Sequence, residues 1–190
     1  MKLRSVRHTL FWAGAAVALA GCSDALDPDV TGLVDVVAHD DPAATAAFAG
    51  TAAGNFQASM RSTGGEWVDV STANGITVAL ESTTAISVHG PQSVPAGTYD
   101  LVRLTLYAVT FTITDVGTTF ANLGSAVLAG TTDLELEVSV AEFTVSETSG
   151  TASVSFDLNV EAWLTNAMLT AGVIADDALT SQLTAVATGG

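Results

Sequence analysis

Thr151 to Thr165, TASVSFDLNVEAWLT, carries the clearest alternation of the chain. Ala152, Val154, Phe156, Leu158, Val160, Ala162 and Leu164 fall on even positions, and Ser153, Ser155, Asp157, Asn159 and Glu161 on odd ones. Successive side chains of a strand point to opposite faces, so this period of two predicts a β-strand with one face in a core and the other in water. Working outward, Leu134 to Val145 carries Leu134, Leu136, Val138 and Val140 on even positions, then Phe143 and Val145 on odd ones. A hairpin through Ser146 to Gly150 would pair Val145 with Ala152 and Phe143 with Val154. One bulged residue near Ala141 would then set Val138 against Leu158 and Leu136 against Val160, keeping both strands on the core.

Tyr99 to Thr114 is a second long strand, whose apolar face switches from even to odd positions near Ala108. A strand cannot change face without an extra residue, which predicts a bulge or bend there. Upstream, Phe56 to Ser62 and Glu66 to Val70 form a hairpin around Thr63-Gly64-Gly65. Asn74-Gly75 reads as a turn pair, followed by strands at Ile76 to Leu80 and Ala85 to His89. Gly90 to Gly97, GPQSVPAG, reads as a breaker cluster with Pro95 and Gly97 at the second and fourth places of a type I turn. Thr31 to His39 is a candidate first strand. Periodicity leaves Ala43 to Ala49 open between a helical turn and a loop. It also leaves the tail open between a helix on Leu179, Leu183 and Val186 and a Thr-rich edge strand over Thr180 to Thr188. Many short strands with regular turn signals predict an all-β fold: an antiparallel sandwich of prealbumin-like or immunoglobulin-like architecture, with little helix beyond the N-terminus.

That N-terminus is a separate matter. Lys2, Arg4 and Arg7 precede an uncharged run of eleven residues, Leu10 to Ala20. A helical bilayer span needs roughly 20; a basic head, a short apolar middle and small residues at the end fit a cleavable secretory signal. Leu19-Ala20-Gly21-Cys22 resembles the lipobox of bacterial lipoproteins, and Cys22 is the single cysteine of the chain. The resemblance implies cleavage between Gly21 and Cys22, a thioether-linked diacylglycerol on the thiol and a further acyl chain, such as palmitate, on the freed amine. Several chains on one residue exceed the single chain that binds membranes only reversibly. Ser23, in place of the Asp that retains enteric lipoproteins at the inner membrane, implies the outer membrane. The expected organisation is a signal peptide over 1–21, an acidic tether over 22–30 and one sandwich domain over 31–190. The 169 residues from Cys22 to Gly190 suffice for one core.

Charge narrows the partners. The chain holds 5 Lys or Arg against 20 Asp or Glu; beyond the first seven positions only Arg61 and Arg103 remain against all twenty acids, a formal charge of −18. This excludes a nucleic-acid binder, which neutralises phosphates with a basic stripe. It equally disfavours docking on anionic lipid by charge and any chemistry that needs a lysine. The membrane is therefore expected as a partner through the lipid alone, with an envelope protein or a glycan as the remaining candidate ligand.

Val94-Pro95-Ala96-Gly97-Thr98-Tyr99-Asp100-Leu101-Val102-Arg103-Leu104 resembles a segment shared by a family of bacterial lipoproteins, the domain of unknown function 4382. Ala85 to Gly90 and Val154 to Leu158 fit that family's order of strands, so the likeness covers about residues 55 to 164. It implies an extracytoplasmic β domain and no assigned activity.

Candidate chemistry centres on the hairpin expected above, whose outer face would carry Glu135, Glu137, Asp157 and Glu161, with Glu135 opposite Glu161. Like charges so placed destabilise a sheet and invite a cation, so the cluster is a candidate Ca²⁺ site or a carboxylate pair for glycoside hydrolysis. A solvated acidic face is the plainer reading, because calcium sites are usually wrapped by loops. Asp24, Asp27 and Asp29 start like a calcium loop but lack its Gly and closing Glu. His39 beside Asp40 and Asp41 has only His89 as a companion in the mature chain, too few ligands for zinc. There is no Gly-x-Ser-x-Gly elbow. No resident cofactor is expected, and a binding or structural module is favoured over an enzyme. Among the aromatics Trp67, Tyr99, Tyr107 and Trp163, Trp163 stands on the polar parity of its strand, either as a binding patch or covered by the tail. Arg103, between apolar neighbours, either ties a carboxylate or grips an anionic ligand.

Overall fold

A computed structural model describes residues 27–41, 48–62, 64–128, 133–180 and 182–190. The signal segment, Gly21, Cys22, Asp24 and most of Ala43 to Ala49 lie outside them. The first strand, β1, spans Asp27–Asp40, so it begins within the segment expected as a tether, with Asp27 opposite Ala96. Ala49–Arg61 forms β2 and Trp67–Asp69 forms β3, joined as expected through Gly64, whose φ of 72° suits a residue without a Cβ. Asn74–Leu80 is β4. Asn74 and Gly75 are not a turn but its first two residues, paired with Phe56 and Asn55 of β2; the chain reverses earlier, over residues 70–73.

The organising element is β5, Ser82–Asp115, 34 residues long. Its first half pairs antiparallel with β1. Its second half pairs with β2 on one side and, on the other, with β7 (Leu134–Val145) and β6 (Gly124–Leu128). The GPQSVPAG segment is therefore strand and not a turn. In the first sheet β5 occupies an edge, where a proline's missing N–H costs no ladder bond. Pro91 falls where β5 advances three residues, Gln92 to His89, against two on β1, Val34 to Val36. At Gly97, with φ of 154°, the strand passes from the first sheet to the second.

The expected hairpin of Leu134 to Val145 with Thr151 to Thr165 does not form. β7 pairs with β5, Tyr99 facing Phe143 and Leu104 facing Leu136, while β8 (Ala152–Asp157) runs parallel to β1, with Val34 opposite Ala152 and Ala38 opposite Phe156. Alternation states which face a residue takes; it does not state which strand lies beside it, and the link over 146–151 crosses between sheets. The irregularity near Ala141 is present: β7 advances from Phe143 to Ser139 while β5 advances only from Tyr99 to Leu101. The alternation also outruns the strand. After Asp157, Asn159 takes a left-handed φ of 48° and Val160–Ala162 forms a 3-10 turn. Val160, Trp163 and Leu164 stay buried because spacings of three and four share one side of such a turn, whereas Ala162 is exposed.

The face switch near Ala108 is a β-bulge. β5 advances three residues, Thr110 to Tyr107, against two on β2, Ala53 to Asn55; Ala108 takes φ of 50°, and Gly54 lies against it, where a Cβ would stand 2.6 Å from Val109 Cα. The tail resolves as α1 (Asn166–Ala171), β9 (Val173–Ile174) beside β6, and β10 (Thr184–Thr188) along β8, so the edge-strand alternative holds for its end. Thr165 caps α1 by accepting from the Met168 N–H. All pairings among the described residues are antiparallel except β1 with β8 and β6 with β9. The two sheets share one core that includes Phe56, Phe111, Phe156, Leu104 and Leu158, each 1 % exposed or less. Burying each such side chain contributes about 1.5–3 kcal/mol. The fold is an all-β sandwich with one short α-helix among the described residues.

Candidate functional site

The parity that fills the core with even positions of β2 and of the adjoining part of β5 turns the odd ones outward. Arg61, Ser59 and Gln57 of β2, Arg103, Thr105 and Tyr107 of β5, and Glu135 and Glu137 of β7 therefore share one face, extended by Trp67 and Asp69 of β3. Register sets Arg61 opposite Trp67, Ser59 opposite Arg103 on one side and Asp69 on the other, and Glu137 and Glu135 opposite Arg103 and Thr105.

The two arginines beyond the signal segment meet at one ring. The Arg61 guanidinium carbon lies 4.8 Å from the Trp67 ring centroid and that of Arg103 lies 4.3 Å from it. The ring's quadrupole attracts both cations. Both Nε atoms are buried without a hydrogen-bond partner, a situation that a weakly hydrated planar guanidinium on an aromatic face tolerates better than an ammonium. Arg103 also donates to Glu135 at 2.9 Å, realising the carboxylate tie expected for it. Ser59 and Thr105, polar and on this outer face, are nonetheless buried among these longer side chains. The Ser59 hydroxyl donates to Asp69 at 2.8 Å, and Tyr107 donates to Gln57 Oε1 at 2.6 Å. The Tyr107 hydroxyl is pushed above its ordinary pKa by desolvation first and then by Asp133, Glu135 and Asp69.

Beside this stack opens a polar cleft of about 190 Å³, lined by Gln57, Asp69, Ser71, Thr72, His89 and Gln92, with Val70 among them. β2 and the segment after β3 supply one wall and the first half of β5 the other.

The four carboxylates expected as one cluster are divided. Glu135 and Glu137 stand on the outer face of the second sheet, whereas Asp157 ends β8 in the first and Glu161 lies in the turn after it. Their common face required the β7–β8 hairpin, which β1 and β5 displace. Among the described residues no group of three or more His, Cys, Asp or Glu side chains could hold a metal ion. Asp157 instead accepts the N–H groups of Asp41 and Asn159 and lies 3.9 Å from His39 Nδ1. Trp163 is 6 % exposed: it packs edge-on against Phe111, centroids 5.0 Å apart, and donates Nε1–H to the Leu158 carbonyl. It offers no binding surface, because the 3-10 turn rotates it off the strand's polar parity into the core. Tyr99 is likewise internal, its hydroxyl donating to the Pro95 carbonyl at 2.7 Å and pushed up to about 12 by burial.

One carboxylate, weighed in the sequence only as a neighbour of His39, has a different role. Asp40, fully buried, accepts the Val160 N–H with one oxygen and the Glu81 N–H with the other, both at 2.8 Å. It thereby joins the end of β1 to the corner before β5, where Glu81 has φ of 54°, and to the turn after Asn159. Desolvation raises its pKa, opposed by those two N–H groups and assisted by Glu161 and Asp157. The signal was present in the sequence: Asp40 continues the inward parity of Val34, Val36 and Ala38.

No helix among the described residues is long and apolar enough to cross a membrane. The fold and this face define the class, an all-β sandwich whose outer face gathers two arginines on one tryptophan among carboxylates. No protein-family model, curated protein or solved structure matches the chain.

Proposed function

We propose that the chain is a lipoprotein of the bacterial cell envelope, anchored through Cys22 in the outer membrane, whose sandwich serves as a binding module. The observation that carries the reading is Leu19-Ala20-Gly21-Cys22 behind a basic head and an eleven-residue apolar run, with the chain's single cysteine at the position lipidation needs. The likeness to the domain of unknown function 4382 accords with it. The binding half draws on the outer face: Trp67 and the Arg61 and Arg103 guanidiniums gathered on an open sheet beside a polar cleft. Ligands are held in concave sites where a few placed polar groups fix their orientation, and this cleft supplies such groups. The test is metabolic labelling with an alkyne analogue of palmitate, followed by membrane fractionation of wild type and Cys22→Ala. Wild type should label and sediment with outer membrane. The variant should do neither, or accumulate as unprocessed precursor. Unlabelled wild-type protein in the soluble fraction would remove the anchoring.

A further inference from the structure

The cleft is lined by polar groups several of which the fold already holds at one end. Gln57 Oε1 accepts from Tyr107, which leaves its amide N–H₂ to donate. Ser71 Oγ accepts the Ala58 N–H at 2.9 Å, which leaves its O–H. Asp69 Oδ1 takes the Ser59 hydroxyl, which leaves Oδ2 as an acceptor. His89 Nδ1 lies 3.0 Å from the Gly90 carbonyl, which can only accept, so Nδ1 donates there and Nε2 is the ring nitrogen left for an occupant. Thr72 and Gln92 each supply a donor and an acceptor. These groups line a single hollow, so an occupant meets donors and acceptors in near-equal number, oriented before it arrives.

We propose that this cleft recognises a neutral, hydroxyl-rich ligand, one ring of a saccharide; the proposal deepens the binding-module reading and rests on it. A hydroxyl both donates and accepts, so neighbouring hydroxyls on a sugar ring can answer donor and acceptor walls at once. Anionic ligands fit poorly: the lining holds no arginine or lysine, Asp69 faces the space, and the chain beyond the signal segment carries −18. Apolar ligands fit poorly because they would strand these groups without water, at about 1–3 kcal/mol each. The volume of about 190 Å³ lies below the ~300 Å³ at which pockets for drug-sized molecules begin, which suits one ring of a longer chain. His89 and Asp69 are two ligands, short of the set that holds a cation on its own.

The full chain, purified in detergent, is applied to an array bearing neutral linear glucans, N-acetylglucosamine oligomers and mannans beside uronate and sulfated glycans. A retained neutral oligomer is then titrated calorimetrically. The expected result is retention of a neutral class, unaffected by EDTA, and a loss of tenfold or more in affinity for Gln92→Ala and for Gln57→Ala. Gln92→Ala keeps the assignment testable should Gln57→Ala, which also releases Tyr107, disturb folding. Glu147→Gln, distant in sequence and outside the lining, should bind as wild type. Retention of charged glycans alone, retention of none, affinity unchanged in Gln92→Ala, or binding abolished by EDTA would each overturn the assignment. A chain that labels with palmitate yet retains no neutral glycan loses the cleft assignment alone; one that retains glycan without labelling loses the anchor alone.

Discussion

Replacing Asp40 by alanine leaves the buried Val160 N–H and the partly buried Glu81 N–H without their acceptor, because the carboxylate supplies both bonds at 2.8 Å. Each orphaned buried donor costs about 1–3 kcal/mol, or about 2–6 kcal/mol for the two. Removing a desolvated carboxylate that faces Asp157 and Glu161 offsets part of this, leaving a net loss of roughly 1–4 kcal/mol. For a domain of this size that lowers Tm by roughly 2–15 °C. The pH dependence is the sharper test. Burial raises the folded-state pKa of Asp40 above 3.8, so between 3.8 and the raised value the folded chain holds a proton that the unfolded chain has released. Stability from this group is therefore greatest at low pH and declines as pH rises through the folded value. Alanine does not titrate, so the penalty of the substitution should be larger near pH 4.5 than near pH 8. Urea unfolding followed by circular dichroism at the two pH values measures it. A penalty below about 1 kcal/mol, or one that grows with pH, would refute the reasoning.

The bulge at Ala108 makes two opposite forecasts for its partners. Gly54→Ala drives a Cβ to 2.6 Å from Val109 Cα, a clash with backbone that should cost about 1–3 kcal/mol in chemical denaturation. Ala108→Gly relieves a left-handed φ of 50°, worth about 1–2 kcal/mol, against about 0.5–1 kcal/mol of added unfolded-chain entropy, so the midpoint should move up. An unchanged or lower midpoint would count against the bulge. Tyr99→Phe keeps the ring's packing against Phe143 but strands the Pro95 carbonyl, and thermal melts should register a loss of about 1–2 kcal/mol.

The outcome at particular residues shows where sequence reasoning stopped. Face assignments survived as long as the strand lasted: Ala152, Val154 and Phe156 are buried and the parity slip at Ala108 appeared as a bulge, whereas the 3-10 turn after Asp157 exposes Ala162 and buries Trp163. The local hairpin of β2 with β3 survived, but the expected hairpin of β7 with β8 did not, since β1, β7 and β8 all alternate and any two could have been matched. With the hairpin went the acidic cluster, because its four carboxylates shared a face only in that pairing. The meeting of Arg61 and Arg103 on Trp67 was illegible for the same reason: the three residues come from three strands, and their register is a tertiary fact.

By itself the sequence determined the all-β class, the bulges near Ala108 and Ala141 and the distribution of its charge, because each follows from local geometry or counting. The tertiary structure decided that β5 serves two sheets, that Trp163 turns inward and that Asp40 ties three segments together. It also decided that the chain's two remaining arginines share one aromatic ring beside a polar cleft. These depend on which distant segments win the competition for backbone pairing and burial, and that competition is settled by the sum of contacts over the whole chain.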